Sequence, residues 1–165
     1  MPSPRPVPLT LRSPAFAASG DLPAIYTCDA DGVSPPLQWG HAPVGTRSLV
    51  LVVDDPDAPD PAAPERLFTH WVVYDLPPAA GRLDDAASPG GLPDPAREVR
   101  NDRGGRGWTP PCPPVGRHRY YFHLYALDAE LGDLGPEAGR YQVEQAMRGH
   151  VIEAAELVAS YGPRA

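Results

Sequence analysis

Positive charge is scarce in this chain: 14 Lys+Arg stand against 21 Asp+Glu, a formal net charge of −7. General nucleic-acid binding needs a basic face, so this balance argues against it. A small anion pocket stays compatible, because the field inside a pocket is set locally. Long apolar runs are missing too. None is long enough to span a bilayer, and the N-terminal "MPSPRPVPLTLRSPAFAASG" has arginines but no apolar stretch of signal-peptide length. A cytoplasmic location is the resulting expectation. Cysteine is limited to Cys28 and Cys112, far apart and without CxxC spacing, which removes the usual zinc signature. Two thiols in a chain with no secretion signal are expected to be reduced and free. Neither a G-x-S-x-G nucleophile elbow nor an H-E-x-x-H metal motif occurs.

Proline is plentiful, at 24 residues, 16 of them grouped in 2–14, 35–43, 56–64 and 110–114. It locks φ and removes a donor, so the proline-free apolar runs between these groups read as strands joined by stiff loops. With 165 residues, 42% of them apolar, the chain suits one globular domain, 1–165, with one sizeable core.

Residues 1–8 read as an irregular Pro-rich lead-in, "LTLRSPAF" as holding a short edge strand, and "LQW" as another short strand. "RSLVLVVDD" is β-branched and nearly continuous, the pattern of a strand buried on both faces. In "LFTHWVVYDLP" alternation puts Phe68, His70, Val72 and Tyr74 on one face, with Thr69, Trp71, Val73 and Asp75 on the other. "RHRYYFHLYALD" places His118, Tyr120, Phe122, Leu124 and Ala126 together. Residues 77–107 have few apolar anchors and read as a long surface excursion, a candidate contact surface. From Val143, apolar residues recur at three and four positions through Met147, Val151, Ala154, Val158 and Tyr161, an amphipathic-helix pattern ended by Gly162-Pro163. Strands followed by one late helix make a mainly β domain, most naturally two antiparallel sheets.

The chemistry-bearing residues sit at strand ends. Asp55 and Asp57 close one strand, His70 opens the next, and His118 and Tyr120 open the third. In antiparallel neighbours the end of one strand lies beside the start of the other, so these groups can meet at one edge. The stiff 110–114 loop joins them if the His118 and His70 strands run parallel in space. Each residue also has a plainer reading. Asp-Pro-Asp is a good turn, a lone strand histidine is usually a satisfied structural group, and Cys112 between prolines could be filling.

Together "SPPLQW", "LVLVVDDPDAP", "THWVVYDLP", "GWTPPCPPVGRHRYYFHLYALD" and "GHVIEAAELVASYG" resemble, in order and spacing, the phosphatidylethanolamine-binding protein family in its bacterial Raf-kinase-inhibitor-like (YbhB/YbcL) branch. The likeness runs from about residue 10 to 162. It implies a large antiparallel sheet packed on a smaller one, Greek-key-like, with a C-terminal helix and an anion cavity at one end. Carried over by motif, the cavity is lined by Asp55, Asp57, His70, His118 and Tyr120, shaped by Pro59 and Pro114, with the backbone at Pro111–Cys112 supplying a donor. Only Cys112 of that pair has an N–H. Imidazoles, a phenol and an amide hold a phosphate without a metal, and a carboxylate behind a histidine fixes its tautomer. Asp54 points elsewhere by alternation. Two positions depart from the family pattern: Pro110 stands where Gly is usual, removing an N–H, and Trp108 stands for the usual Tyr.

The resemblance implies a non-enzymatic binding or regulatory protein without a cofactor. Its ligand would bear phosphate: a phospholipid head group, a phosphorylated small molecule or a phosphorylated residue of a partner such as a kinase. A kinase or protease modulator is the role the family name carries. Bacterial relatives pair, which leaves a homodimer open. Two other classes compete. A hydrolase-type enzyme would use the Asp/His cluster, but Ser88 and Ser160 lie outside it and Cys112 is the only nearby nucleophile. A metal site would use Asp55, Asp57, His70 and His118, but the neighbouring donors suit an anion better.

Overall fold

The computed structural model describes residues 7–163, so most of the Pro-rich lead-in lies outside the described residues. Its strands are β1 (Thr10–Arg12), β2 (Gly20–Asp21), β3 (Leu37–Gly40), β4 (Ser48–Ala58), β5 (Arg66–Leu76), β6 (Arg82–Leu83), β7 (Arg97–Glu98), β8 (His118–Leu127) and, after helix α1 (Arg140–Met147), β9 (Val151–Tyr161). They form a small sheet, β1-β3-β6, and a large one, β2-β9-β8-β4-β5-β7. Pairing is antiparallel throughout except for the short β2–β9 edge.

Burial follows the apolar patterning. Leu49, Leu51 and Val53 of β4 join Trp71, Val73, Phe122 and Leu124 in a core shared with Leu11, Leu37, Trp39 and Leu83 of the small sheet. Val50 and Val52 pack on the opposite face with Val72, Tyr74, Val143 and Met147, beneath α1. β4 is therefore buried on both faces, which accounts for its unbroken β-branched run. On β8 the alternation holds as read, with His118, Tyr120, Phe122, Leu124 and Ala126 inward.

Three expectations are corrected. The helix is confined to residues 140–147, where Val143 and Met147 do face the core. After Gly149, at φ 80°, the chain becomes β9 and pairs along the whole of β8, from His118↔Tyr161 to Leu127↔Val151. Leu157 and Ala159 of β9 enter the inter-sheet core, so sheet pairing overrides a local three-to-four periodicity. Residues 77–107 are more than a surface excursion. They contribute β6 to one sheet and β7 to the other, and they bury Leu83, Ala87 and Val99. The third correction concerns the cysteines: Cys28 and Cys112 form a disulfide, with Cα atoms 5.3 Å apart.

β4 is antiparallel to both β5 and β8. β5 and β8 therefore run parallel in space, and the starts of both lie beside the end of β4.

Candidate functional site

Asp55 builds the corner at that edge. Its Oδ1 accepts the Asp57 N–H at 2.7 Å, bending the chain across Pro56. Its Oδ2 accepts from His118 Nδ1 at 2.5 Å. His118 Nε2 meets the Val115 carbonyl at 2.8 Å. An acceptor faces each ring nitrogen, so both nitrogens of His118 are engaged. Burial raises the Asp55 carboxyl above its ordinary range against the lowering effect of the His118 bond. With both nitrogens engaged, His118 positions the corner and has no donor to spare.

His70 reaches the same place through a bulge. Val53 pairs with Trp71, but Asp54 pairs with Thr69, so His70 is the extra residue on β5. This corrects the simple alternation that grouped His70 with Val72 and Tyr74. Those two face α1, whereas the His70 ring lies 4.8 Å from the Phe68 ring and 5.3 Å from that of Tyr120, centroid to centroid. Thr109 locks it from both sides: the Thr109 N–H donates to the His70 carbonyl at 3.0 Å, and His70 Nδ1 donates to the Thr109 carbonyl at 2.8 Å. Burial pushes the His70 pKa down to about 4.

The sign of the pH effect follows. The unfolded imidazole takes up a proton near its ordinary pKa, and the folded one refuses it until far lower pH. Stability therefore falls as pH falls from about 7 to about 5, by about 2 kcal/mol from this residue. Denaturant titrations at the two pH values check this. A His70→Gln variant is expected to lose that part of the slope, and an unchanged slope would remove His70 as its source.

Tyr120 completes the floor. It is 1% exposed, and its hydroxyl has no hydrogen-bond partner among the described residues. Burial, then the charges of Asp55 and Asp57, raise its pKa, so the phenol stays protonated and able to donate. These groups open into a cavity of about 300 Å³, where Asp55, Pro59, His70, Cys112, Pro114, His118 and Tyr120 meet as expected. Ala58, Arg66, Phe68, Arg103 and Pro113 also line it. Arg66 and Arg103 stack over the Phe68 ring, with guanidinium carbons 5.3 and 6.0 Å from its centroid. Arg66 was within reach of sequence reasoning, since it shares the i, i+2, i+4 parity of Phe68 and His70. Arg103 comes from the long 77–107 segment and left no such signal.

Two expected site residues do not line the cavity. Asp57 is taken up by Arg119, whose backbone N–H and Nε donate to Oδ2 at 2.9 and 3.0 Å while Nη2 donates to Oδ1 at 2.9 Å. These bonds hold the Asp57 carboxyl below its ordinary pKa. Pro111 turns its carbonyl to the Cys28 N–H at 3.0 Å. Asp54 faces away as read, accepting from His123 and Arg140 on the α1 side. Of the family departures, Pro110 packs against Gly32, and Trp108 meets Trp71 edge-on with its indole N–H unpartnered among the described residues. No three His, Cys, Asp or Glu side chains among the described residues are placed to hold a metal ion. With Asp57 bound to Arg119, the four groups considered for one do not converge. The Cys112 sulfur is tied to Cys28, so it offers no thiol nucleophile.

A sequence model of the phosphatidylethanolamine-binding protein family matches residues 12–162. A UPF0098 protein of Methanothermobacter thermautotrophicus is 44% identical over 93% of this chain and 98% of its own length. The crystal structure of a putative phosphatidylethanolamine-binding protein homolog, CT736 of Chlamydia trachomatis, superposes with a TM-score of 0.85 at 39% identity, covering 95% of this chain and 99% of that one. That of Escherichia coli YbcL, described as a new member of the mammalian PEBP family, also gives 0.85, at 27% identity over 96% of this chain and all of that one, 100%.

Proposed function

The chain belongs to the phosphatidylethanolamine-binding protein family, and from that premise we propose that it is a non-enzymatic binding protein whose cavity holds the phosphoryl group of a small ligand. The observation that carries this reading is the Tyr120 hydroxyl: a buried donor, unpartnered among the described residues, on the wall of a cavity rimmed by two arginines. A buried polar group without a partner is costly, and a ligand oxygen would relieve it. The Cys112 N–H, on the same wall and given no acceptor among the described residues, supplies a second donor. Arg66 and Arg103 at the mouth attract the anion and can bind it bidentately. The enzyme reading is disfavoured because the cluster's carboxylates are spent on His118 and Arg119 and its sulfur on a disulfide.

Calorimetric titration with inorganic phosphate tests this, with histidine ring signals followed by NMR. Saturable binding that perturbs His70 is expected. Tyr120→Phe should weaken it by about 10- to 100-fold, the effect of one hydrogen bond to a charged group. An unaffected Tyr120→Phe variant would place the anion elsewhere.

A further inference from the structure

The cavity floor is an unusual cradle for an oxyanion because one of its two histidines presents a lone pair. A carbonyl oxygen can only accept, so the bond from His70 to Thr109 fixes the proton on Nδ1. The ring is 3% exposed and walled by Phe68, Trp108 and Tyr120. Burial opposes a second proton and the Arg103 charge adds to that opposition. Asp102 and Asp54, which act the other way, do not overcome them. Nε2 is thus an acceptor at neutral pH, with no partner among the described residues.

Beside it the Tyr120 hydroxyl is a donor, also without a partner, and the two do not bond to each other. His118 cannot compensate, since acceptors occupy both its nitrogens. Asp55 adds acceptor character to the same wall. The floor therefore asks its ligand for one acceptor and one donor close together. A P–OH next to a P–O meets both needs. A fully deprotonated oxyanion turns a lone pair toward Nε2 and leaves it desolvated and unmatched.

Resting on the oxyanion reading above, we propose that this cavity selects oxyanions that still carry a proton, a hydrogen phosphate group above all, and rejects bare ones such as sulfate, with His70 Nε2 as the discriminating acceptor. The two ions are close in size and shape, so the proton is what separates them.

The test is isothermal calorimetry on the full chain at about pH 7, in a buffer free of both ions and at fixed ionic strength, with sodium phosphate and sodium sulfate as titrants. Phosphate is expected to bind at least about tenfold more tightly, the scale of one mismatched buried hydrogen bond. Equal affinities would overturn the inference and leave the oxyanion site standing. Binding of neither ion would overturn both. A His70→Gln variant, whose amide can turn its NH2 to the anion, should bring the phosphate-to-sulfate ratio close to one, and an unchanged ratio would overturn the assignment to His70. Should that variant fail to fold, nitrogen-15 NMR of the wild-type ring decides. An unprotonated Nε2 in the free protein supports the inference, and a protonated one overturns it.

Discussion

Replacing Asp55 with alanine is expected to lower folding stability by about 3–5 kcal/mol and to abolish phosphate binding. The carboxylate is 4% exposed and its partner His118 is 1% exposed. Removing one member strands the other with a buried polar nitrogen that has lost its partner. The same side chain also holds the Asp57 N–H, so the bend at the end of β4 loses its internal bond. Asp55→Asn separates charge from shape. An asparagine can keep its oxygen on the Asp57 N–H and donate its amide to His118 Nδ1. The imidazole then needs only the one proton, on Nε2, that it gives to Val115. Every bond survives, and the cost should be nearer about 1 kcal/mol. Urea denaturation of both variants with a common slope measures the difference. A tolerated alanine would mean that water replaces the carboxylate and that the corner is held by other contacts.

The same corner shows what sequence reasoning reaches and where it stops. β4 was legible because a β-branched run with no polar interruption has one natural place in a two-sheet domain. β8 was legible because its alternation is unbroken from His118 to Ala126. The gathering of Asp55, His70 and His118 followed from strand direction alone. The bulge at His70 did not, since a bulge is a mismatch between two strands and neither strand's own pattern encodes it. Nor did the fate of Asp57: Asp55 and Asp57 look equivalent in "DDPDAP", and only the pairing of β4 with β8 brings Arg119 to one of them. In residues 151–161 an apolar set that fits a helix also fits a strand. The deciding term was the free edge of β8, which lies elsewhere in the chain. Histidines at a cavity suggest free N–H groups, but both nitrogens of His118 contact Asp55 and Val115, and only strand pairing shows that Arg66 and the distant Arg103 line the same cavity.

Breaking the Cys28–Cys112 bridge is expected to have an effect of comparable size, about 2–5 kcal/mol of stability together with weaker phosphate binding. The cysteines are 84 residues apart. In the chain-entropy account, closing a loop of that length restrains the unfolded chain by about 4–5 kcal/mol at room temperature, and measured losses commonly fall at or below that figure. The bridge also acts on the cavity. Cys112 is part of its wall, and the bridge and the Cys28 N–H bond to the Pro111 carbonyl anchor the 110–114 segment to residues 27–29. Proline supplies no N–H at 110, 111, 113 or 114, so this loop cannot replace the lost anchor with backbone bonds of its own. Freed from Cys28, the Cys112 N–H loses the fixed position that the proposed phosphate contact requires. A Cys28→Ala/Cys112→Ala variant should unfold at lower urea than the oxidised wild type. The wild type in reductant should match the variant, and the variant should ignore the reductant. Matching midpoints in all four conditions would mean that the thiols are free in solution, as expected of two lone cysteines in a reducing compartment. A gap that closes only on reduction would establish the bridge and argue for a compartment that keeps it oxidised.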